Sequence, residues 1–233
     1  MGKDVIVACD FPTREACMDF LLRFPGRKPY VKIGMELFYA AGPDMVRALK
    51  DRGHPIFLDL KLYDIPNTVR GAMSVLRDLG ADMLNLHAAG TSDMMTAALE
   101  GLTRPDGTRP LLLAVTRLTS LSEAVMRREQ LIDRRLEDVV LAYAQNAQAA
   151  GLDGVVCSPL EAATLHRALG ATFLTVTPGI RFPEDGKDDQ TRVSTPAGAK
   201  VLGSDYIVVG RPITRAADPA AVYERCVREF VDS

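Results

Sequence analysis

Asp59, Lys61 and Asp64 form an Asp-x-Lys-x-x-Asp cluster inside the run Phe57-Leu58-Asp59-Leu60-Lys61-Leu62-Tyr63-Asp64-Ile65-Pro66-Asn67-Thr68. The run opens apolar, as Ile56-Phe57-Leu58, and reads as a buried strand. Side chains two apart on a strand share a face, so Asp59 and Lys61 project together from its end. Charges in such a partly dry place persist only when paired. A lone Asp–Lys pair reads as a structural ion pair capping a barrel. Three charges at this spacing, with polar Asn67 and Thr68 just beyond, read instead as a catalytic group. An ammonium set between carboxylates stays protonated despite burial. It can then stabilise a negative charge that develops beside it and donate a proton to it.

Such a cluster needs a frame. Short apolar runs recur along the chain at Val5–Cys9, Tyr30–Gly34, Pro55–Lys61, Met83–Leu86, Leu111–Val115, Gly154–Cys157, Thr172–Val176 and Tyr206–Val209. Helical patterns separate them. One starts at the N-cap Thr13 and carries Cys17, Phe20, Leu21 and Phe24 at helical spacing. Others span Pro43–Arg52, Val69–Leu79, Thr91–Leu102, Arg135–Ala150, Thr195–Leu202 and Ala220–Val231. Ser122–Arg128 reads as a short extra helix, and Ser158-Pro159 opens one that runs to Leu169. The strands are apolar throughout, as in parallel sheets covered on both faces. Eight strand–helix units with no linker predict a (β/α)8 barrel, a single domain over residues 1–233. A doubly wound open sheet is the second choice. No Gly-x-Gly-x-x-Gly follows the first strand to favour it.

The composition narrows the function classes. With 28 Lys and Arg against 30 Asp and Glu, the net charge of −2 gives no basic field for nucleic acid. No run approaches the ~20 apolar residues of a membrane span. The apolar run near the N-terminus is too short for a signal peptide and meets Asp10 at once. The cysteines, at 9, 17, 157 and 226, are too scattered for a zinc or disulfide framework. Cys9 and Cys157 sit in apolar runs as buried thiols, which fits a cytoplasmic, reducing location. His54 reads as a surface residue and His166 as structural. His87 lies nearer the strand ends. There is no Ser/His/Asp order or His–Cys cluster.

In barrels of this type the site lies at the C-terminal strand ends. Those ends supply Asp10, Lys32, Asp59, Lys61, His87, Thr119, Ser158, Pro178 and Gly210-Arg211. The first three strands carry most of the charge and can form a Lys32–Asp59–Lys61–Asp64 chain of alternating sign. The weaker alternative turns Lys32 outward into solvent. Gly210-Arg211 after the last strand fits a phosphate site, with close backbone approach at the glycine and a forked contact from the arginine. The loop from Pro178 to Arg192 is long and polar and reads as a lid, from which Arg181 and Gln190 can reach a ligand.

The extended run from Asp59 to Thr68 resembles the signature of the orotidine 5′-phosphate decarboxylase family, in its short monofunctional bacterial form. The resemblance spans nearly the whole chain. Asp10, Lys32-Ile33-Gly34, Thr119-Ser120, Pro178-Gly179-Ile180-Arg181, Gln190 and Gly210-Arg211 agree with it in order. It implies a (β/α)8 enzyme that makes uridine 5′-phosphate in pyrimidine biosynthesis, without metal or cofactor, as a homodimer with shared sites. It implies that Lys61 protonates C6 as CO2 leaves, with Asp59 beside the substrate carboxylate. Lys32 and Asp64 would hold the charge network, Asp64 reaching in from the other subunit. Asp10 and the partner-supplied Thr68 would contact the ribose. Ser158 and Pro178 would line the base pocket. Arg181, Gln190 and Arg211 would grip the phosphate with help from the Gly210 amide. Related barrels such as 3-keto-L-gulonate 6-phosphate decarboxylase share the Asp-x-Lys-x-x-Asp core, but use Mg²⁺ and a carboxylate where this chain has Lys32. A phosphate-binding barrel without catalysis and a Schiff-base aldolase built on Lys61 are the readings of other classes. The intact charge cluster opposes the first, and carboxylates that keep Lys61 protonated oppose the second.

Overall fold

The computed structural model of the chain describes residues 3–185 and 192–232. In order the elements are β1 (Asp4–Ala8), α1 (Arg14–Leu21), β2 (Tyr30–Gly34), α2 (Met35–Ala41), α3 (Asp44–Asp51), β3 (Ile56–Leu62), α4 (Pro66–Arg77), β4 (Met83–His87) and α5 (Thr91–Leu102). There follow β5 (Leu111–Val115), α6 (Glu123–Glu129), α7 (Leu136–Ala149), β6 (Gly154–Val156), α8 (Pro159–Leu169) and β7 (Leu174–Thr177). The chain ends with α9 (Pro196–Val201), β8 (Tyr206–Val209), α10 (Arg211–Thr214) and α11 (Pro219–Val227). All eight strands are parallel and each pairs with the next. β1 also pairs with β8, which closes the barrel.

The alternation of strand side chains sorts the core into two layers. Val5, Val7, Val31, Ile33, Ile56, Leu58, Leu84 and Ile207 face the helices in one large apolar cluster. Ile6, Ala8, Tyr30, Phe57, Met83, Leu113, Val176, Tyr206 and Val208 fill the barrel interior. Continuing the inward parity along each strand puts Asp10, Lys32, Asp59, Asn85 and Gly210 at one end of the barrel. Lys32 follows Tyr30 inward, which rules out the solvated alternative. Local signals start several helices as expected. The Thr13 hydroxyl accepts the Ala16 amide, Ser122 caps α6 and Thr195 caps α9.

Four features differ from the sequence reading. Residues 35–41 form α2, an extra helix that follows Gly34 with no side-chain cap to announce it. Arg211–Thr214 forms α10, a single turn directly after β8. The last α-helix stops at Val227 and continues as a π-turn through Asp232. His54 is buried, with Nδ1 against the Pro29 carbonyl at 2.9 Å, and burial lowers its pKa. A glycine turn suggested exposure there, but a tertiary hydrogen bond decides it. All four cysteines are buried and unpaired. No described helix is long and apolar enough to cross a membrane.

Candidate active site

β3 does not run straight to its end. Leu58 pairs with Leu84 and Leu62 with Leu86, so three β3 residues stand opposite the single β4 residue Asn85. The strand bulges there, a device that re-aims side chains next to functional sites. Lys61 takes a left-handed backbone, φ 52°, which is uncommon for a residue with a Cβ. Asn85 sits opposite the bulge, buried, and closes it. Its Oδ1 accepts the Lys61 amide at 2.9 Å and its Nδ2 donates to Asp59 Oδ1 at 2.6 Å.

Asp59 is the hub of the cluster. Oδ1 also accepts Lys61 Nζ at 2.6 Å, and Oδ2 lies 3.1 Å from Lys32 Nζ. Lys32 in turn donates to Asp10 Oδ1 at 3.0 Å. Burial alone would raise the Asp59 pKa, but Lys32 and Lys61, helped by hydrogen bonds from Lys61 and Asn85, hold it down to about 2. For Lys32 burial pulls the pKa down, and Asp59 and Asp10 more than reverse that, leaving it raised. Both are therefore charged at neutral pH. Gly34 makes room for this contact, because a Cβ there would stand 2.9 Å from Asp10 Oδ1 and 3.1 Å from Lys32 Nζ. The alternating chain thus reads Asp10–Lys32–Asp59–Lys61.

Asp64 does not join it within the same chain. It is exposed, and its Oδ1 accepts the neighbouring Ile65 amide at 2.7 Å. Thr68, in the first turn of α4, is exposed as well. Pro178, Arg181, Gly210 and Arg211 line a cavity of about 380 Å³ together with Asp10 and Lys32. That cavity joins the ends of β1, β2, β7 and β8. Arg181 is buried, with Nη1 on the Ile180 carbonyl at 2.8 Å. Residues 179–182 pack down onto the barrel, with Ile180 and Phe182 in the core, so the loop after β7 begins as fixed structure. Thr119 is buried in the loop after β5. Gln190 lies outside the described residues.

Ser158 corrects the sequence reading. It is completely buried and so has no surface with which to line a base pocket. Its hydroxyl accepts the Leu160 amide at 3.3 Å, and Glu161 accepts the Ser158 amide at 2.8 Å. Ser-Pro-Leu-Glu is a capping box that starts α8. Asn85 is the residue that sequence reasoning passed over. A lone amide inside Met83-Leu84-Asn85-Leu86 was its signal, since a buried polar group needs partners. A larger cavity, about 660 Å³, opens beside the site between Tyr63, His87, Arg117 and Tyr143, and His87 is the strand-end candidate that lines it. Burial and the nearby Lys61 lower the His87 pKa, so it is neutral there at pH 7. Among the described residues no three His, Cys, Asp or Glu side chains gather as a metal site.

Comparison with known proteins agrees with this geometry. Residues 3–226 match the family described as Orotidine 5'-phosphate decarboxylase / HUMPS family. The orotidine 5'-phosphate decarboxylase of Bacillus cytotoxicus is 53% identical over 99% of this chain and 98% of its own length. That of Geobacillus thermodenitrificans is 52% identical over the same shares. The crystal structure of orotidine 5'-phosphate decarboxylase from Lactobacillus acidophilus superposes with a TM-score of 0.87 at 45% identity, covering 98% of this chain and 99% of that one. With its closed barrel and its charge cluster at the strand ends, the chain belongs to the orotidine 5'-phosphate decarboxylase / HUMPS family.

Proposed function

We propose that the chain decarboxylates orotidine 5′-phosphate to uridine 5′-phosphate and CO2, with no metal or cofactor, as a cytoplasmic step of pyrimidine synthesis. The observation that carries this is the Lys61 ammonium, seated 2.6 Å from Asp59 at the barrel mouth and next to a cavity lined by Arg181 and Arg211. In the step itself the bond from C6 to the carboxylate carbon breaks and its electron pair stays on C6. Lys61 gives that carbon a proton, and the resulting amine regains one from solvent. Asp59 lies beside the departing carboxylate, and Lys32 keeps Asp59 ionised and in place. Arg181, Gln190, Arg211 and the Gly210 amide bind the phosphate, Asp10 and Thr68 the ribose, Pro178 borders the base, and Thr119 is a further substrate-binding residue.

Two unit charges about 4 Å apart interact by roughly 4 kcal/mol at an effective dielectric of about 20. That is about three decades in rate. One lysine is therefore a large term but not the whole barrier reduction. Binding energy from the remote phosphate supplies more by fixing the substrate. The aldolase reading loses ground on the same geometry, since Lys61 Nζ is engaged by Asp59 at 2.6 Å instead of standing free to attack a carbonyl.

The site is completed in this reading by a second copy of the chain, which brings Asp64 and Thr68. Exposed Tyr63 and Ile65 flank Asp64, as suits a segment that a two-fold partner covers. The test is an absorbance assay of orotidine 5′-phosphate turnover in metal-free buffer. Turnover undiminished by EDTA supports the proposal. Activity that EDTA abolishes and Mg²⁺ restores rejects the metal-free step, and absence of turnover rejects the activity.

A further inference from the structure

We propose that Arg192 is a positioning residue for the phosphate end of the site, acting from outside the arginine-lined cavity. The inference rests on the reading of that cavity as a phosphate site. Arg192 lies where the long loop after β7 returns toward α9. Its Nη1 pairs with Glu161 of α8, and its Nη2 donates to the Leu118 carbonyl at 3.2 Å. Both side chains of the pair are largely buried, 16% and 9% exposed. Glu161 is itself fixed, since its second oxygen holds the Ser158 amide in the cap of α8. One guanidinium thus ties together the loop after β5, the first turn of α8 and the loop after β7.

Its influence can be followed through two short paths. Two residues on, Ser194 bridges to Ile180. The Ser194 carbonyl accepts the Arg181 amide at 2.9 Å, and the Ser194 amide donates to the Gly179 carbonyl at 3.1 Å. Arg181 then enters the cavity that also holds Arg211. In the other direction, Leu118 immediately precedes Thr119. A buried ion pair adds little net stability once desolvation is counted, yet it fixes one geometry. Here that geometry is the base of the loop that presents Arg181. A loop base ordered before binding removes an entropy cost from substrate capture.

The test uses the full chain and two variants. Glu161→Gln with Arg192→Met removes both charges at similar volume and leaves an acceptor for the Ser158 amide, so no buried charge is stranded. Arg192→Lys keeps the charge facing Glu161 and gives up the bond to Leu118. We expect the double variant to lose between about 10- and 100-fold in kcat/KM on orotidine 5′-phosphate, mostly through KM. On orotidine, which lacks the phosphate, kcat/KM should stay within about twofold, because the reacting groups are untouched. Arg192→Lys should recover part of the loss. Equal losses on both substrates would mean a merely structural role, and no loss on either would mean no role; each overturns the inference. If the wild-type protein turns over neither substrate, the proposed activity fails instead. Calorimetric binding of uridine 5′-phosphate against uridine then decides the positioning claim. A loss confined to the phosphorylated ligand upholds it, and any other pattern overturns it.

Discussion

For the proposed step Lys61 has to be held and also aimed, and different neighbours secure each. Asp59 holds the ammonium at 2.6 Å, and the bulged backbone turns the side chain toward the barrel mouth. Lys61→Ala should therefore lower kcat on orotidine 5′-phosphate by on the order of a thousandfold or more. The circular dichroism spectrum should remain that of the folded barrel. Near-normal turnover would remove Lys61 from the chemistry. Asp59 makes a second, pH-dependent prediction. Its pKa of about 2 in the fold lies below the ordinary 3.8, so its contribution to stability is complete above the ordinary value. That contribution disappears as pH falls from about 4 to about 2, and amounts to roughly 2 kcal/mol. In a chain of this size it should appear as a drop of roughly 4–8 °C in melting temperature across that window. Asp59→Asn should flatten the drop in a melting series, and an unchanged slope would show that other carboxylates dominate it.

The bulge in β3 is held by a single side chain on the neighbouring strand. A left-handed backbone at a residue with a Cβ costs on the order of 1 kcal/mol and persists only when its surroundings impose it. Asn85 imposes it by taking the Lys61 amide and steadying Asp59 with the other end of its carboxamide. Asn85→Ala should release Lys61, lowering kcat by about 10- to 100-fold with a smaller change in KM. It should also destabilise the barrel by about 1–3 kcal/mol through the orphaned buried groups. A variant that melts earlier but keeps its kcat would separate the bulge from catalysis. The strand that bears Asp59 and Lys61 was legible in the sequence, because charges interrupt an apolar run. So was the inward aim of Lys32, once Tyr30 is placed inside the barrel by the period of two. The bulge was not legible, since it depends on which β4 residue stands opposite, and a lysine gives no local sign of a left-handed backbone. α2 was missed because it starts on Gly34 with no capping side chain. Ser158 was misplaced because a strand-end serine and a helix-capping serine occupy the same position in the chain, and the Glu161 three residues on was the deciding sign.

At the scale of the whole molecule, the charge cluster divides unevenly. Asp10, Lys32, Asp59 and Lys61 assemble within one chain, and Asp64, just before α4, and Thr68, in its first turn, stand exposed. If a second subunit receives Asp64, subunit exchange gives a test. Lys61→Ala and Asp64→Ala proteins should each be nearly inactive alone. Random exchange makes about half of the dimers mixed, and each mixed dimer has one intact and one doubly damaged site. Activity should therefore return to about a quarter of the wild-type level. Exchange confirmed by mass spectrometry without that recovery would place the action of Asp64 within its own chain. The four buried, unpaired cysteines carry a different consequence. They lie at the end of β1, in α1, after β6 and in α11, so they sample the first, middle and last parts of the chain. Burial raises the pKa of the Cys157 thiol and pushes that of Cys226 up to about 12, and a hydrogen bond with Cys17, then burial, raises that of Cys9. Only the thiolate alkylates. Because all four thiols are also buried away from reagent, the native molecule is a set of internal clocks that run only while the barrel is open. Timed iodoacetamide labelling, read by mass spectrometry, should show all four thiols modified at one shared rate if closure between β1 and β8 makes opening all-or-none. Faster labelling of Cys226 alone would instead time the departure of α11 from an otherwise intact barrel.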